Sequence, residues 1–291
     1  MGKRKASAEK KKAAKKKSVF WAAAAGVIVI LCAGLAVWSG QPRLKLPYLT
    51  ARSAAVMDCD TGKFLYRKEA KQQNTPASLT KLMTLLLVLD DIDAGELNWE
   101  DTFQVTAEEA ETTGSKYGIT PGETLTVRQL VAGTVMASGC DCVQCLVKLC
   151  AGDEAAFVRR MNEKAQELGL KNSHFANATG LDNRDHYMSA EDLARLSRTL
   201  IEEHPEILEF TSAPELEVEG KTFQSSHRLV GRDPRVLGLK TGTSQIAGCN
   251  LVTCAEEDGK RYLIVLLGSG DDHTRYSETG TILNTLFEEA S

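Results

Sequence analysis

The sequence contains few histidines, and they follow none of the spacings typical of metal sites. Only five are present among 291 residues, with no His-Glu-x-x-His motif and no pair at neighbouring positions of a helix. A zinc site needs ligands that converge on one point. We therefore expect no metal ion in the protein.

Most of the chain also lacks an excess of positive charge. Nine of the 35 Lys and Arg and one of the 39 Asp and Glu lie in residues 1–17, so the remainder carries 26 basic and 38 acidic side chains, a net charge of −12. Nucleic-acid phosphates require a basic surface. The composition argues against a nucleic-acid partner.

An uncharged run of 21 residues, 18–38, follows the basic start. It is about as long as a helix needs to cross a bilayer, and the positive-inside rule keeps the basic residues in the cytoplasm. We predict a cytoplasmic tail over 1–17, a single transmembrane signal anchor over 18–38, a linker over 39–50 and an extracytoplasmic domain over 51–291. A cleaved signal peptide, giving a secreted protein, is the alternative.

Beyond residue 50 the chain shows no internal repeat and no second linker, which favours one domain. Strand-like runs joined by "DTG" (51–70) and by "EEDGK" (248–269) predict a hairpin near each end. Helical patterns occupy 78–93, 126–149, 154–168 and 189–203, and an amphipathic pattern over 273–290 closes the chain. We expect an α+β fold in which the two ends share an antiparallel sheet flanked by helices, with a mostly helical middle.

The segment "TPASLTKLMTLLLVLDDI" carries the first candidate catalytic pair. From residue 79 to 92 it is apolar nearly all round, which indicates a buried helix. Ser78 and Lys81, three residues apart, share one face near its start. Burial lowers the pKa of a lysine, and a neutral amine beside a hydroxyl can activate it as a nucleophile. A serine cap with a lysine reaching solvent is the alternative.

Two further motifs follow in order. "SGC" places Ser138 and Cys140 at the start of an apolar helical run, and "LKTGTS" places Lys240, Thr241 and Gly242 on a β run. A lysine there supplies positive charge for a substrate carboxylate, and glycine permits close approach of the strand. Ser-x-x-Lys, Ser-x-Asn and Lys-Thr-Gly, in this order, form the signature of penicillin-binding proteins and serine β-lactamases.

With these motifs, residues 50–291 resemble the D-alanyl-D-alanine carboxypeptidases, the low-molecular-mass penicillin-binding proteins of the β-lactamase/transpeptidase-like superfamily. The resemblance extends over "DCDTGKFLYRKEA", "GITPGETLTVRQLVAGTVMASG", "FANATGLD", "MSAEDLARL" and "GLKTGTSQIAGCNLV". It implies an enzyme without a cofactor that removes the terminal D-alanine from peptidoglycan stem peptides and is acylated by β-lactam antibiotics.

The resemblance also implies a role for each motif residue. Ser78 would be the acylated nucleophile, Lys81 its general base and Ser138 a proton relay to the leaving amine. The terminal carboxylate would be held by Lys240 and Thr241 with help from Arg228, and the oxyanion by the backbone N–H groups of Ser78 and Thr243.

Two positions depart from the family. Cys140 stands where the family usually has asparagine, and a thiol is a weak hydrogen-bonding partner in that place. His227 stands where asparagine is common.

Four cysteines crowd into "SGCDCVQCLVKLC", residues 138–150, as in some metal sites. On a helix, at about 100° per residue, Cys140, Cys142, Cys145 and Cys150 point in different directions and cannot close a tetrahedral site. Cys142 and Cys145 alone stay close enough for a two-ligand fragment or a disulfide. We interpret the cluster as small buried apolar side chains of an active-site helix.

Two rival functions remain. A β-lactamase needs a carboxylate that activates the deacylating water, and "FANATGLDNRDHY" offers no Glu-x-x-x-Asn motif. A non-catalytic cell-wall-binding relative is the other rival, and Cys140 is its support.

Overall fold

The computed structural model describes residues 44–288. The predicted tail over 1–17, the predicted membrane span over 18–38 and residues 39–43 of the linker lie outside this part. Within 44–288, no helix combines the length and the apolar character needed to cross a membrane.

Five antiparallel strands form the central sheet, in the spatial order β2-β1-β9-β8-β7. Their bounds are β1 Ser53–Asp58, β2 Phe64–Lys68, β7 Val236–Ser244, β8 Gly248–Glu257 and β9 Lys260–Ser269. The N-terminal hairpin meets the C-terminal hairpin because β1 pairs with β9 along its whole length, from Ser53 opposite Leu267 to Asp58 opposite Tyr262. The prediction that the two ends of the domain share one sheet is confirmed.

The turn between β8 and β9 has the backbone conformation that its Asp-Gly sequence predicts. Asp258 and Gly259 have φ angles of +51° and +73°, and two positive φ values are what the common two-residue hairpin turn requires. An Asp-Gly pair adopts them at little cost, so the register between Glu257 and Lys260 follows from local sequence.

Alternating residues of the sheet enter two separate hydrophobic cores. Met57, Leu263 and Val265 face the helical part of the domain. Val56 and Ile264, one position along, pack against the C-terminal helix α8, Asp272–Glu288. This period of two places the strands between helices on both faces, as the predicted fold class requires.

Helices fill the region between the two hairpins. They are α1 Lys81–Asp93, α2 Ala107–Ala110, α3 Val127–Val135, α4 Cys140–Ala151, α5 Glu154–Glu167, α6 Ala190–Glu203 and α7 Ile207–Thr211. Helix α1 is buried on nearly every side, as predicted. Its first turn differs from the prediction, because residues Ala77–Thr80 form a 3₁₀ turn before the α-helix begins at Lys81.

The helical pattern over 126–149 is divided into two helices, the second beginning close to the SGC motif. The chain leaves α3 after Val135 and re-enters a helix only at Cys140, with Ser138 in the left-handed region at φ +58°. A left-handed residue that is not glycine is costly, and contacts with a distant loop hold it, as described below. The apolar pattern over 126–149 does not indicate that this loop contacts Ser138.

Two small antiparallel sheets were not predicted. They are β3 Thr102–Gln104 with β4 Thr124–Thr126, and β5 Glu215–Val218 with β6 Lys221–Gln224. Strands of three or four residues are too short to show a clear alternation of apolar and polar residues.

Candidate active site

Ser78 and Lys81 are in direct contact where the 3₁₀ turn passes into α1. The Lys81 amine Nζ lies 2.8 Å from the Ser78 hydroxyl oxygen Oγ. The hydroxyl is thus within proton-transfer distance of the amine, the geometry required of a nucleophile and its base.

The Lys81 side chain is fully buried and makes two other contacts. Its Nζ donates to the Thr179 carbonyl oxygen at 2.9 Å and approaches the Cys140 sulfur at 3.4 Å. Burial is the main influence on this amine and lowers its pKa. In the described part of the chain no carboxylate hydrogen-bonds to this amine, so a neutral form is accessible without competition from an ion pair.

Three residues outside the Ser-x-x-Lys, SGC and Lys-Thr-Gly motifs hold the turn Ala77–Thr80 that carries Ser78. The Asn250 side-chain amide on β8 donates to the carbonyl oxygens of Thr75 and Pro76, at 3.0 Å each. His186 Nε2 lies 2.7 Å from the Thr80 hydroxyl. No sequence signal linked these residues to Ser78, because they come from elements 100 or more residues away.

Gly180 is the third residue, and its requirement for glycine is steric. A Cβ atom there would lie 1.9 Å from the Ala77 carbonyl oxygen. The segment "FANATGLD" therefore packs directly against the turn Ala77–Thr80. This packing brings the Thr179 carbonyl oxygen within hydrogen-bonding distance of the Lys81 amine.

Ser138 lies in the break between α3 and α4, Cys140 is the first residue of α4, and loop 115–119 stabilises both. The Ser115 hydroxyl donates to the Ser138 carbonyl oxygen at 2.5 Å, and the Cys140 N–H donates to the Ser115 carbonyl oxygen at 2.7 Å. The Asp141 carboxylate accepts backbone N–H groups from the same loop, including Gly118 at 2.7 Å. Among the described residues, the buried Ser138 hydroxyl has no hydrogen-bonding partner.

Lys240 and Thr241 lie in β7, and Lys240 is 1% exposed. Its pKa is lowered well below the ordinary value, first by burial and next by the positive charge of Lys81. The Thr241 hydroxyl lies 3.1 Å from that of Ser226. A substrate carboxylate placed here would stabilise the charged form of the Lys240 amine, which burial disfavours.

Gly242 lies where β7 passes close to the turn that carries Ser78, and its contact with a substrate stays a prediction. A Cβ atom there would lie 2.8 Å from the Pro76 carbonyl oxygen and 3.1 Å from the Ser78 nitrogen. The strand thus packs closely against the turn that carries Ser78.

Arg275 on α8 is a further residue that the motifs missed. It is 6% exposed, and its Nη1 donates to the Thr243 hydroxyl at 3.1 Å and to the Asn250 carbonyl oxygen at 2.8 Å. Arg228 instead forms a surface ion pair with Asp272, 2.5 Å apart. Its contact with a substrate carboxylate stays a prediction.

The cysteine-rich stretch forms no shared site. Cys140, Cys142, Cys145 and Cys150 are free thiols, and Cys142 and Cys145 lie in the hydrophobic core. Burial raises the pKa of Cys145 to about 12 and also raises the pKa of Cys142 well above its ordinary value, so neither is a ready thiolate ligand. Only Cys140 contacts Lys81.

Comparison with known proteins agrees with this geometry. Residues 41–271 match the family described as D-alanyl-D-alanine carboxypeptidase. The chain belongs to that family. The D-alanyl-D-alanine carboxypeptidase DacF of Bacillus subtilis is 34% identical over 244 residues, which cover 82% of this chain and 62% of DacF. DacD of Escherichia coli is 34% identical over 81% of this chain and 63% of its own length.

Solved structures of the carboxypeptidase family extend the comparison to the fold. Penicillin-binding protein D2 from Listeria monocytogenes, in its cefotaxime-bound form, is 34% identical with a TM-score of 0.77, covering 84% of this chain and 99% of that one. DacD from Francisella tularensis is 28% identical with a TM-score of 0.79, covering 84% and 71%. The chain spans slightly more than three fifths of the two curated relatives above.

Cys140→Asn should preserve or raise the rate at which penicillin acylates the protein. An amide can hydrogen-bond both Lys81 and the substrate, whereas a thiol does so weakly. Stopped-flow acylation measures the rate. Ser138→Ala is the contrasting variant and should slow acylation roughly 10²–10⁴-fold through loss of a proton-transfer group. A large fall in the Cys140→Asn variant would contradict the assignment of Cys140 to the asparagine position.

His227 should make the fold sensitive to acid. Its ring is 3% exposed, with Nε2 3.0 Å from the Thr253 hydroxyl, and burial lowers its pKa from 6.5 to about 3. The unfolded chain takes up this proton near pH 6.5 and the folded chain only near pH 3. Stability present above pH 6.5 is therefore lost as the pH falls through that window, by about 1.4 kcal/mol per pH unit at most.

His227→Asn should reduce this loss. The measurement is the free energy of unfolding in urea at pH 7 and pH 4.5, with His273→Asn as a control at an exposed histidine. Equal losses in wild type and His227→Asn would show that the buried ring is not responsible.

Proposed function

We propose that the protein is a serine-type D-alanyl-D-alanine carboxypeptidase that removes the terminal D-alanine from peptidoglycan stem peptides through an acyl-enzyme. The observation that carries the proposal is the 2.8 Å contact between the Ser78 hydroxyl and the fully buried Lys81 amine. A buried amine with a lowered pKa can take the hydroxyl proton at the moment of attack.

The proposed reaction assigns one step to each element of the site. Lys81 removes the proton from Ser78, whose Oγ attacks the carbonyl carbon of the peptide bond between the two D-alanines. The N–H groups of Ser78 and Thr243 stabilise the oxyanion. Ser138 passes a proton to the departing D-alanine nitrogen, and water then hydrolyses the ester on Ser78.

Strand β7 binds the substrate. Lys240 and the Thr241 hydroxyl bind the terminal carboxylate. The negative charge of the carboxylate stabilises the charged form of Lys240, which burial otherwise disfavours. Recognition of a free carboxylate one residue beyond the scissile bond makes the reaction a carboxypeptidase cleavage.

β-Lactam antibiotics should acylate the same serine. The relative from Listeria is described in cefotaxime-bound and ampicillin-bound forms. In this chain the β-lactam carbonyl would take the place of the scissile carbonyl at Ser78.

Two substrates test the proposal against its rivals. The purified full chain should release D-alanine from an N-acylated peptide ending in D-Ala-D-Ala, and should form a long-lived acyl-enzyme with penicillin. Rapid nitrocefin hydrolysis without D-alanine release would favour a β-lactamase. Penicillin binding without turnover of either substrate would favour a non-catalytic relative, for which Cys140 is the supporting residue.

A membrane location is proposed from the sequence alone. The basic start and the uncharged run over 18–38 favour a single-pass anchor with the catalytic domain outside the cell. The mature protein should then retain residues 1–38 and sediment with membranes. N-terminal sequencing is the measurement, and a mature start beyond residue 38 would indicate a cleaved signal peptide.

A further inference from the structure

A buried histidine faces two carboxylates at the end of the domain where α1 and α6 terminate. His204 follows α6 directly and is 2% exposed. Its Nδ1 atom lies 3.3 Å from Asp93 Oδ2 and 3.8 Å from Glu206 Oε1. Although these oxygens are close, Nδ1 makes no hydrogen bond to any residue of 44–288. A nearly inaccessible imidazole thus directs an unpartnered nitrogen at two carboxylates.

The other ring nitrogen is held in the manner usual for a metal ligand. His204 Nε2 lies 2.8 Å from Asp90 Oδ1, and the second oxygen of Asp90 pairs with Lys164 Nζ at 2.9 Å. When Nε2–H donates to that carboxylate, the neutral ring presents its Nδ1 lone pair to Asp93 and Glu206. A carboxylate behind a ligating histidine fixes the ring and its tautomer in many zinc sites.

The distances also suit a small divalent cation. Zinc binds histidine nitrogen and carboxylate oxygen at about 2.0–2.2 Å with tetrahedral geometry, which places neighbouring ligand atoms roughly 3.3–3.6 Å apart. The two separations measured from Nδ1 fall at or close to this range. The Asp93 and Glu206 side chains are 62% and 32% exposed, so an ion can reach them from solvent and keep a water as its fourth ligand.

We propose that His204 Nδ1, Asp93 and Glu206 form a site for a zinc-type divalent cation that ties the end of α1 to the end of α6. Helix α1 begins at Lys81 and ends at Asp93, so the site lies about 18 Å along the helix from the catalytic lysine. The ion would fix the C-terminal end of the helix whose first residue is Lys81. Histidine spacing gave no indication of it, because Asp93 and His204 come together only in the folded domain.

Zinc titration of the purified full chain tests this site. Calorimetry should show one zinc ion bound per chain at this site, and the Tm should rise with zinc concentration. Asp93→Asn removes one ligand from an exposed position and should weaken binding at least tenfold with an unchanged Tm in chelator. Glu209→Gln removes the same charge from a nearby exposed position and should bind zinc as the wild type does.

A second pair of measurements separates the site from other zinc binding. His204→Gln should also lose the zinc-dependent rise in Tm, and Co²⁺ bound to the wild type should show no thiolate charge-transfer band. If the wild type takes up no zinc, the cluster is a network of ion pairs and the proposal is wrong. A thiolate band, or equal weakening by Asp93→Asn and Glu209→Gln, would place the ion at the cysteines or on the acidic surface and overturn the proposal.

Discussion

Ser78→Ala should abolish the covalent adduct that penicillin forms with the protein. The Ser78 hydroxyl lies 2.8 Å from the buried Lys81 amine, and alanine offers no atom to acylate. Mass spectrometry of the intact chain after incubation with penicillin is the measurement. Wild type should gain the mass of one penicillin, and the variant should gain none.

The control for this experiment is Ser277→Ala, an exposed serine on α8, which should be acylated as the wild type is. The Ser78 side chain lies at the surface of a turn held by Asn250 and His186, so its truncation should leave the fold intact. An adduct that persists in the Ser78→Ala protein would refute the proposed mechanism.

Lys81→Gln should slow acylation by roughly 10²–10⁴-fold, the contribution typical of general-base catalysis. Glutamine can still hydrogen-bond the Ser78 hydroxyl and the Thr179 carbonyl, so the loss isolates proton transfer from positioning. Acylation by wild type should accelerate as the pH rises, because more of the amine becomes neutral. Burial lowers the pKa of Lys81, so the midpoint should lie below the 10.5 of an ordinary lysine.

The pH dependence distinguishes a base from a structural lysine. Acylation by Lys81→Gln should lose the rise with pH, whereas Lys171→Gln, at an exposed lysine, should retain it. A rate within a few-fold of wild type, or an unchanged pH profile in Lys81→Gln, would exclude Lys81 as the base.

Part of the site follows from local sequence. Ser78 and Lys81 are three residues apart, and helical geometry alone brings such side chains to one face. The apolar residues on every side of α1 indicated that this face is buried, and burial is what lowers the pKa of the amine. The hairpins were predictable for the same reason, since an Asp-Gly turn and a period-two pattern are properties of adjacent residues.

Tertiary structure decided the rest. The left-handed backbone at Ser138 depends on Ser115 and on the N–H groups that Asp141 accepts, which lie more than twenty residues upstream. The SGC motif indicated that a helix begins near Ser138, but the apolar pattern from 126 to 149 is the same with or without that loop and could not reveal the left-handed backbone.

The sequence by itself determined the order of the three motifs, the buried helix and the shared sheet, because each is a pattern of neighbouring residues. Only the folded chain brought Asn250 and Gly180 against the Ser78 turn, Arg275 against Thr243, and His204 against Asp93. These contacts join elements far apart in the chain. Hydropathy and spacing describe which residues are buried, whereas the pairing of buried polar groups depends on the packing of the whole domain.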